Sequence, residues 1–410
     1  MKLPKGWIKS KFKGVLHNIS INNLKVKKKD YLLQGKLPVI DQGQELIGGY
    51  TNNIENKIDE EPPFIIFGDH TRILKFINFS FAPGADGVKV LKAKNNIDSK
   101  LLYYFLKVII NKVPNKGYAR HFQYLTKENI PLPPLPEQHR IVKKIEELFS
   151  ELDNGIENLQ KAKEQINTYR QSVLKAAFEG KLTNENVKND ELPKGWKWLS
   201  IKDICSKVEY GSSKKSEKEG RIPVLRMGNI QHYFFDWTDL VYSNDDEEIT
   251  KYRLKKGDVL FNRTNSPELV GKTAIYLGER EAIFAGYLIR IHYNSDINPK
   301  YLNYYLNSLN AKEYGNTVKT DGVNQSNING QRLKGYPFPY CKKEEQNKVV
   351  SEIEQRFSVA DKLEESIDQS LQQAETLRQS ILKKAFEGKL VPQDPNDEPA
   401  EKLLEKIKTP

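Results

Sequence analysis

Two cysteines, Cys205 and Cys341, are all that 410 residues carry, and that scarcity excludes a disulfide framework and a cysteine-based zinc site alike. It predicts a reduced, cytoplasmic setting. Long apolar runs are missing too: stretches such as Phe64 to Phe67 fall far short of a membrane span, and Met1 to Ser10 has no apolar core of signal-peptide length. No membrane partner is expected. Histidine is equally sparse. Six are scattered without ligand spacing, and the nearest approach to a pair, His70 and His121, has no carboxylate that the sequence can place beside it, so no metal site is predicted.

Several fragments imitate catalytic motifs and fail on inspection. "GKT" at Gly271 ends like a phosphate-binding loop, but Ser266 stands where the loop needs glycine. "EPPF" at Glu61 resembles the Asn/Asp-Pro-Pro-aromatic loop of amino-methyltransferases, yet begins with Glu and lacks a Gly-rich loop to hold a methyl donor. Asp41 with Glu55 and Lys57 fits the loose carboxylate-and-lysine pattern of metal-dependent nucleases, and "TNNIENK" reads better as a solvated turn. No catalytic residues and no cofactor bound by this chain are expected.

What is present is positive charge and repetition. Sixty-five Lys and Arg stand against 54 Asp and Glu, a formal +11, a balance that favours polyanionic partners, nucleic acid first. Glu137–Leu182 and Glu345–Leu390 align without a gap, and 22 of their 46 positions are identical. "LPKGW" occurs at Leu3 and again at Leu192, and "SKLLYYFL" at Ser99 is echoed by "PKYLNYYL" at Pro299. The chain is a tandem repeat of a variable part followed by a closely kept part.

The kept part predicts a long helix with a coiled-coil seam at alternating spacings of three and four: Ile145, Leu148, Leu152, Leu159, Ala162, Ile166, Tyr169, Val173 and Ala176 in the first copy, broken only at Gly155, and Ile353, Ala360, Leu363, Ile367, Ala374, Leu377 and Ile381 in the second, with Arg356 and Ser370 as polar exceptions. Each helix follows a proline-rich or turn-rich stretch and stops near a glycine, Gly180 or Gly388. Such a stripe needs a partner. Two copies packed antiparallel would put two variable domains at opposite ends of a pseudo-twofold rod; the alternative is that each helix docks on another subunit. The expected architecture is therefore α/β: two α/β domains, at 1–133 and 183–340, long helices at 134–182 and 341–390, and a tail at 391–410 with one short helix. Short β-branched runs such as "FIIFGD" at Phe64 and "GDVLFNRT" at Gly257 supply the strands, and Asp98 and Asn298 each start a helix that closes a domain.

Polar loops in the variable parts carry binding equipment. Lys11 to Lys29 holds six lysines and no acid. The residues expected to contact DNA are Gln42, Lys116, Tyr118, Arg120, His121 and Gln123 in the first variable part. In the second they are Lys214, Lys215, Arg226, Asn229, Gln231, Arg263, Asn265, Lys319, Asn324, Gln325 and Asn327. Lysines suit phosphates, whereas Arg, Asn and Gln can place two hydrogen bonds on one base edge.

The order of variable domain, "PLPPLPEQHRIVKKIEELF", long helix, "EGKL", "LPKGW", second variable domain, second helix and "EGKLVPQDPNDEPAEKLLEKI" strongly resembles the specificity subunit of type I restriction-modification systems. "DQGQELIGGYTN" at Asp41 and "GDVLFNRTNSPELVGK" at Gly257 add to the likeness, which covers essentially the whole chain. The resemblance implies two target recognition domains, each reading one half of a split double-stranded DNA site, with the helices fixing the gap. It also implies docking of methyltransferase subunits, which use S-adenosylmethionine, and of translocase-nuclease restriction subunits, which use ATP and Mg. The competing readings are a coiled-coil adaptor that binds no DNA and a specificity subunit whose recognition domains are inactive.

Overall fold

A computed structural model describes residues 3–117, 119–184, 187–188, 191–323 and 325–408, the side chains of 407 and 408 excepted. The chain forms two compact units, Met1–Leu159 with Asp368–Pro410, and Gln160–Ile367. The division falls inside both of two 44-residue helices, Leu135–Phe178 and Lys343–Phe386. No helix among the described residues is long and apolar enough to cross a membrane.

Each unit is built on the same plan. In the first, strands Leu16–Ile19, Val88–Ala93, Phe64–Gly68 and Leu74–Ile77 make a four-stranded antiparallel sheet in that order. In the second the order is Cys205–Tyr210, Leu288–Tyr293, Val259–Asn262, Thr273–Ile275. A mixed three-stranded sheet accompanies each, centred on Leu37–Ile40 and on Ile222–Leu225. The central strands Phe64–Gly68 and Val259–Asn262 are buried throughout, which is why they read as unbroken apolar runs and not as alternating ones.

One helix covers each four-stranded sheet. Asp98 caps Ser99–Ile110, its Oδ1 accepting from Lys100 N and Leu101 N; Asn298 caps Pro299–Leu306 in the same way, with proline at the first helical position. The caps are pinned to the long helices by two fully buried glutamines. Gln138 Oε1 accepts from Asp98 N at 2.9 Å and its amide donates to Pro133 O, while Gln346 Oε1 accepts from Asn298 N at 2.7 Å and its amide donates to Cys341 O at 2.8 Å. The repeated "EQ" is thus a joint between domain and helix. Gln346→Leu leaves a buried N–H and a buried carbonyl unpaired, and should cost about 2 to 4 kcal/mol in urea unfolding of the second unit; an unchanged midpoint would show that the joint carries no stability.

The repeated "EGKL" and "LPKGW" are two faces of one contact. Gly180 and Gly388 have φ of +76° and +68°, and Lys181 N bonds Ala176 O as Lys389 N bonds Lys384 O, both at 2.8 Å, closing each long helix in a left-handed cap. A side chain on either glycine would run into the proline of "LPKGW", Pro193 against Gly180 and Pro4 against Gly388. Beyond that proline, Gly6 and Gly195 turn the chain at φ of +83° and +89°. Trp7 is buried, donating to Glu137 Oε2 at 2.9 Å.

Both long helices bury their ends. Ile145 and Ile381 join the core of the first unit with Leu101 and Phe105; Val173 and Ile353 join that of the second with Tyr301 and Phe338. Ile166 is buried as well, Leu148, Leu152, Leu159 and Ile367 are half-buried, and Leu363 and Leu377 remain 54% and 49% exposed. Within each unit the paired helix segments run antiparallel. In the second, Lys163 reaches Glu364 while Arg170 reaches Asp361 at 2.6 Å and Glu364 at 2.8 Å. In the first, Phe149 and Asp153 flank Arg378 while Glu137 meets Gln393. The tail forms helix Ala400–Lys408, whose Ala400 N bonds Gly6 O and whose Leu403 enters the first core.

Candidate nucleic-acid interface

At one end of each four-stranded sheet the loops are tied by the same five backbone hydrogen bonds. In the first unit they are Gly84 N to Ile40 O, Val26 N to Pro83 O, Ala85 N to Val26 O, Asp69 N to Gly87 O and His121 N to Asp69 O, from 2.6 to 3.0 Å. Their counterparts in the second are Ala285 N to Leu225 O, Ser212 N to Phe284 O, Gly286 N to Ser212 O, Arg263 N to Tyr287 O and Ile328 N to Arg263 O, again from 2.6 to 3.0 Å. One frame is therefore built twice. Position by position, Asp69 corresponds to Arg263, Gly87 to Tyr287, His121 to Ile328, and the exposed Lys28 and Lys29 to the exposed Lys214 and Lys215.

The frames carry different chemistry. In the second unit the Arg263 guanidinium lies 4.9 Å from the Tyr210 ring centre, and its Nε has no hydrogen-bond partner among the described residues. Tyr210 is fixed by its hydroxyl, which accepts from Gly330 N at 2.7 Å. Strand Thr264–Asn265 pairs with Ser326–Asn327 and that with Thr320–Asp321, which gathers Arg263, Asn265, Asn327, Gln325 and Lys319 on one small sheet. Asn327 Nδ2 donates to Thr264 Oγ1 at 2.7 Å, and Lys319 Nζ lies 3.4 Å from Pro267 O. In the same four-stranded sheet, Glu209 is desolvated, but hydrogen bonds from Arg290 and His292 outweigh the burial and hold its carboxyl down at about 2.

In the first unit Asp69 stands where Arg263 does. Its Oδ1 accepts from Phe122 N at 2.7 Å and Lys89 Nζ lies 4.0 Å from its Oδ2. Gln42 Oε1 accepts from His70 N, and the Thr71 hydroxyl donates to Gln42 O at 2.8 Å. A side chain on Gly87, φ +72°, would meet both Gln42 and His70, so that glycine keeps the loops close. Lys116, Arg120 and Gln123 are exposed; Lys116 Nζ sits 5.2 Å from the Tyr124 ring and Gln123 donates to Arg120 O.

Two expected contacts are corrected by burial. His121 is 0% exposed, its Nδ1 bonded to Asp69 O at 2.9 Å and its Nε2 accepting from Lys116 N; it fastens the loop that carries Lys116 and Arg120 and cannot touch DNA itself. Asn229 is 3% exposed, with Oδ1 accepting from Arg226 N and Nδ2 donating to Asp236 O and Asp239 O. Its polar atoms are used up. Arg226 is ion-paired with Asp239 at 3.0 Å, Lys214 with Asp245 at 2.6 Å, and Gln231 lies with Arg226 outside the five-bond frame. Asn265 Oδ1 accepts from Ser266 N. Tyr118 and Asn324 lie outside the described residues. Tyr210, Tyr287, Lys28 and Lys29, all exposed, escaped the sequence expectation at residue level, although the lysine-rich Lys11 to Lys29 stretch was its signal; Asp69, 4% exposed, is as buried as Asn229.

The nuclease pattern finds no support in its geometry. Asp41 Oδ1 accepts from Gly43 N and lies 3.6 Å from buried Lys75 Nζ, where burial lowers the lysine amine against the pull of Asp41. Glu55 sits in a separate turn, Ile54–Asn56, capped by Asn53. Among the described residues no group of three or more His, Cys, Asp or Glu is placed to hold a metal ion.

The family model of the type I restriction modification DNA specificity domain matches twice, at residues 4–167 and 193–373. The chain belongs to that family. Among relatives of this specificity-domain protein, the type I restriction enzyme EcoKI specificity subunit of Escherichia coli (strain K12) is 31% identical over 294 residues, and the StySPI specificity subunit of Salmonella potsdam is 30% identical over 298. Each alignment covers 68% of this chain and 63% of the relative. Of solved structures, one concerned with complex assembly and conformational transition of the type I R-M system matches with a TM-score of 0.69 at 19% identity, covering 95% of this chain and 100% of that one. The HsdS subunit from Thermoanaerobacter tengcongensis matches with a TM-score of 0.52, also at 19% identity, covering 95% and 99%. These likenesses establish the fold.

Proposed function

We propose that this chain is the DNA-recognition subunit of a type I restriction-modification complex, each unit reading one half of a split, asymmetric duplex site. The observation that carries the reading is the five-bond loop frame built twice with different side chains on it. A repeated frame suits two half-sites of one duplex, and Arg263 in place of Asp69 makes the halves unlike. The long helices, each shared by both units, set the gap and dock methyltransferase subunits through exposed apolar positions such as Leu363 and Leu377. The chain itself performs no catalysis and works in the cytoplasm. Methylation with S-adenosylmethionine belongs to the methyltransferase subunits, and ATP- and Mg-dependent translocation and cleavage to the restriction subunits.

The test is to co-express the chain with its methyltransferase subunit and map adenine methylation by long-read sequencing. One motif with two short, different halves and a fixed gap is expected. An assembled complex that leaves no such motif would replace this reading with that of an adaptor. The lysines of both frames also predict a steep salt response: DNA affinity of the assembled complex should fall about 10³-fold between 50 and 200 mM salt if some six phosphates are contacted. A flat response would remove the lysines from the interface.

A further inference from the structure

The segment Arg226–Gln231 does not join the loop frame; it leads into a hairpin, Ile230–Gln231 paired with Phe234–Phe235. The two turn residues are His232 and Tyr233, at φ +46° and +74°. A turn of that hand ordinarily takes Asn-Gly, because a side chain crowds the backbone there. Here Tyr233 holds it in place. Its ring centre lies 5.5 Å from that of Tyr304 and 5.4 Å from that of Phe357, and its carbonyl accepts from Ile275 N and Asn303 Nδ2. Bulky residues forced into such a turn mark a shape the surroundings enforce.

The turn forms one wall of a pocket of about 340 Å³, with Arg170 and Gln171 of the first long helix, Lys272 and Lys312 on the others. No carboxylate lines it. Arg170 is neutralised from behind by Asp361 and Glu364, but Lys272 and Lys312 make no ion pair among the described residues. Desolvation and, after it, the Lys272 charge hold the Lys312 amine below the ordinary lysine range, an effect that solvent weakens because Lys312 is an exposed residue. Two uncompensated cations held together are unfavourable until an anion joins them. Gln171 Oε1 is buried without a donor among the described residues.

We propose that this pocket binds a phosphate group, clamped by Lys272 and Lys312 and bounded by the His232 turn. Lys272 O accepts from Asn262 N at 2.8 Å, the residue before Arg263, so Lys272 stands at the end of the sheet where the loop frame of its unit lies. A backbone phosphate of the strand read there is its natural occupant, an assignment that rests on the proposed DNA function; a free phosphate or the phosphates of a nucleotide share the chemistry.

The experiment uses the full chain with Lys272→Met and Lys312→Met, singly and together. Duplex binding is measured across a salt series after assembly with the methyltransferase subunits, and inorganic pyrophosphate is titrated separately into the chain at constant ionic strength while the His232 ring resonances are followed. If the occupant is a DNA phosphate, the double variant reduces the slope of log K against log salt by about 1 and weakens target and scrambled duplexes alike, by about tenfold. An unchanged slope, with a saturable pyrophosphate response that the double variant loses, assigns the pocket to a free phosphate. An unchanged slope with no saturable response overturns the proposal. An assembled wild-type complex that binds no duplex at all would instead sink the DNA reading, and the pyrophosphate titration would then decide the pocket alone.

Discussion

Replacing Arg263 by alanine should lower affinity for the half-site read by the second unit about 30- to 100-fold and erase the preference at one base position there, while discrimination in the other half stays as it was. Arg263 combines two features of a base reader. Its backbone is fixed at both N–H and C=O by the loop frame, and its guanidinium is backed by the Tyr210 ring. Two hydrogen bonds from one guanidinium to one base edge contribute about 1 to 3 kcal/mol of discrimination, and loss of the charge weakens binding further.

Arg263→Lys separates these contributions. A lysine restores the charge and the salt slope but not the planar fork, so overall affinity should recover while the base preference stays lost. Arg120→Ala, on an exposed loop of the first unit, should affect the opposite half. Binding to duplexes substituted one base pair at a time reads all three variants. Loss of both halves together in any one of them would refute independent reading by two units.

The repeat, the helix stops and the caps at Asp98 and Asn298 were legible because each is local: a glycine, a capping side chain and an apolar spacing lie within a few residues of what they determine. Two things were not. The loop frame joins Val26 to Gly84 and Asp69 to His121 across the fold, and only that closure reveals that Lys28 answers Lys214 and that Asp69 answers Arg263. Burial was equally hidden. His121 and Asn229 have the composition of DNA-contacting residues, yet each spends its polar atoms on backbone groups of the protein, Asn229 within its own loop and His121 on Lys116 N and on Asp69 O across the fold, since buried polar groups need internal partners as much as a ligand does. The helix seam shows a third limit. The 3.5-residue apolar repeat, broken at Gly155 and carrying Arg356 and Ser370 as polar exceptions, runs the length of each helix, whereas an α-helix drifts from it by about 20° per heptad. Burial accordingly concentrates where the ends pack on the domains, and Leu363 and Leu377 stay exposed.

Gly388→Ala should destabilise the first unit by about 3 kcal/mol or more, and the same substitution at Gly155 should stabilise it by up to about 1. Gly388 lies at φ +68°, where a Cβ crowds the following carbonyl at a cost of about 1 to 2 kcal/mol. Its new methyl would also collide with the ring of Pro4 and come within 3.1 Å of the Trp7 ring, displacing the contact that joins "EGKL" to "LPKGW". In a unit of this size about 3 kcal/mol lowers Tm by roughly 6 to 12 °C. Gly155 lies inside helix Leu135–Phe178 with nothing within 4 Å of the position its Cβ would take, so alanine there adds no clash and lowers the entropy of the unfolded chain. Thermal unfolding of the two variants side by side tests the account: opposite signs are required, and a Gly388→Ala chain that melts like wild type would mean that helix end and proline turn do not support one another. Because Gly180 meets Pro193 in the same way, Gly180→Ala should repeat the loss in the second unit, which makes the twice-written helix end a structural joint whose conservation between the two copies needs no reference to DNA.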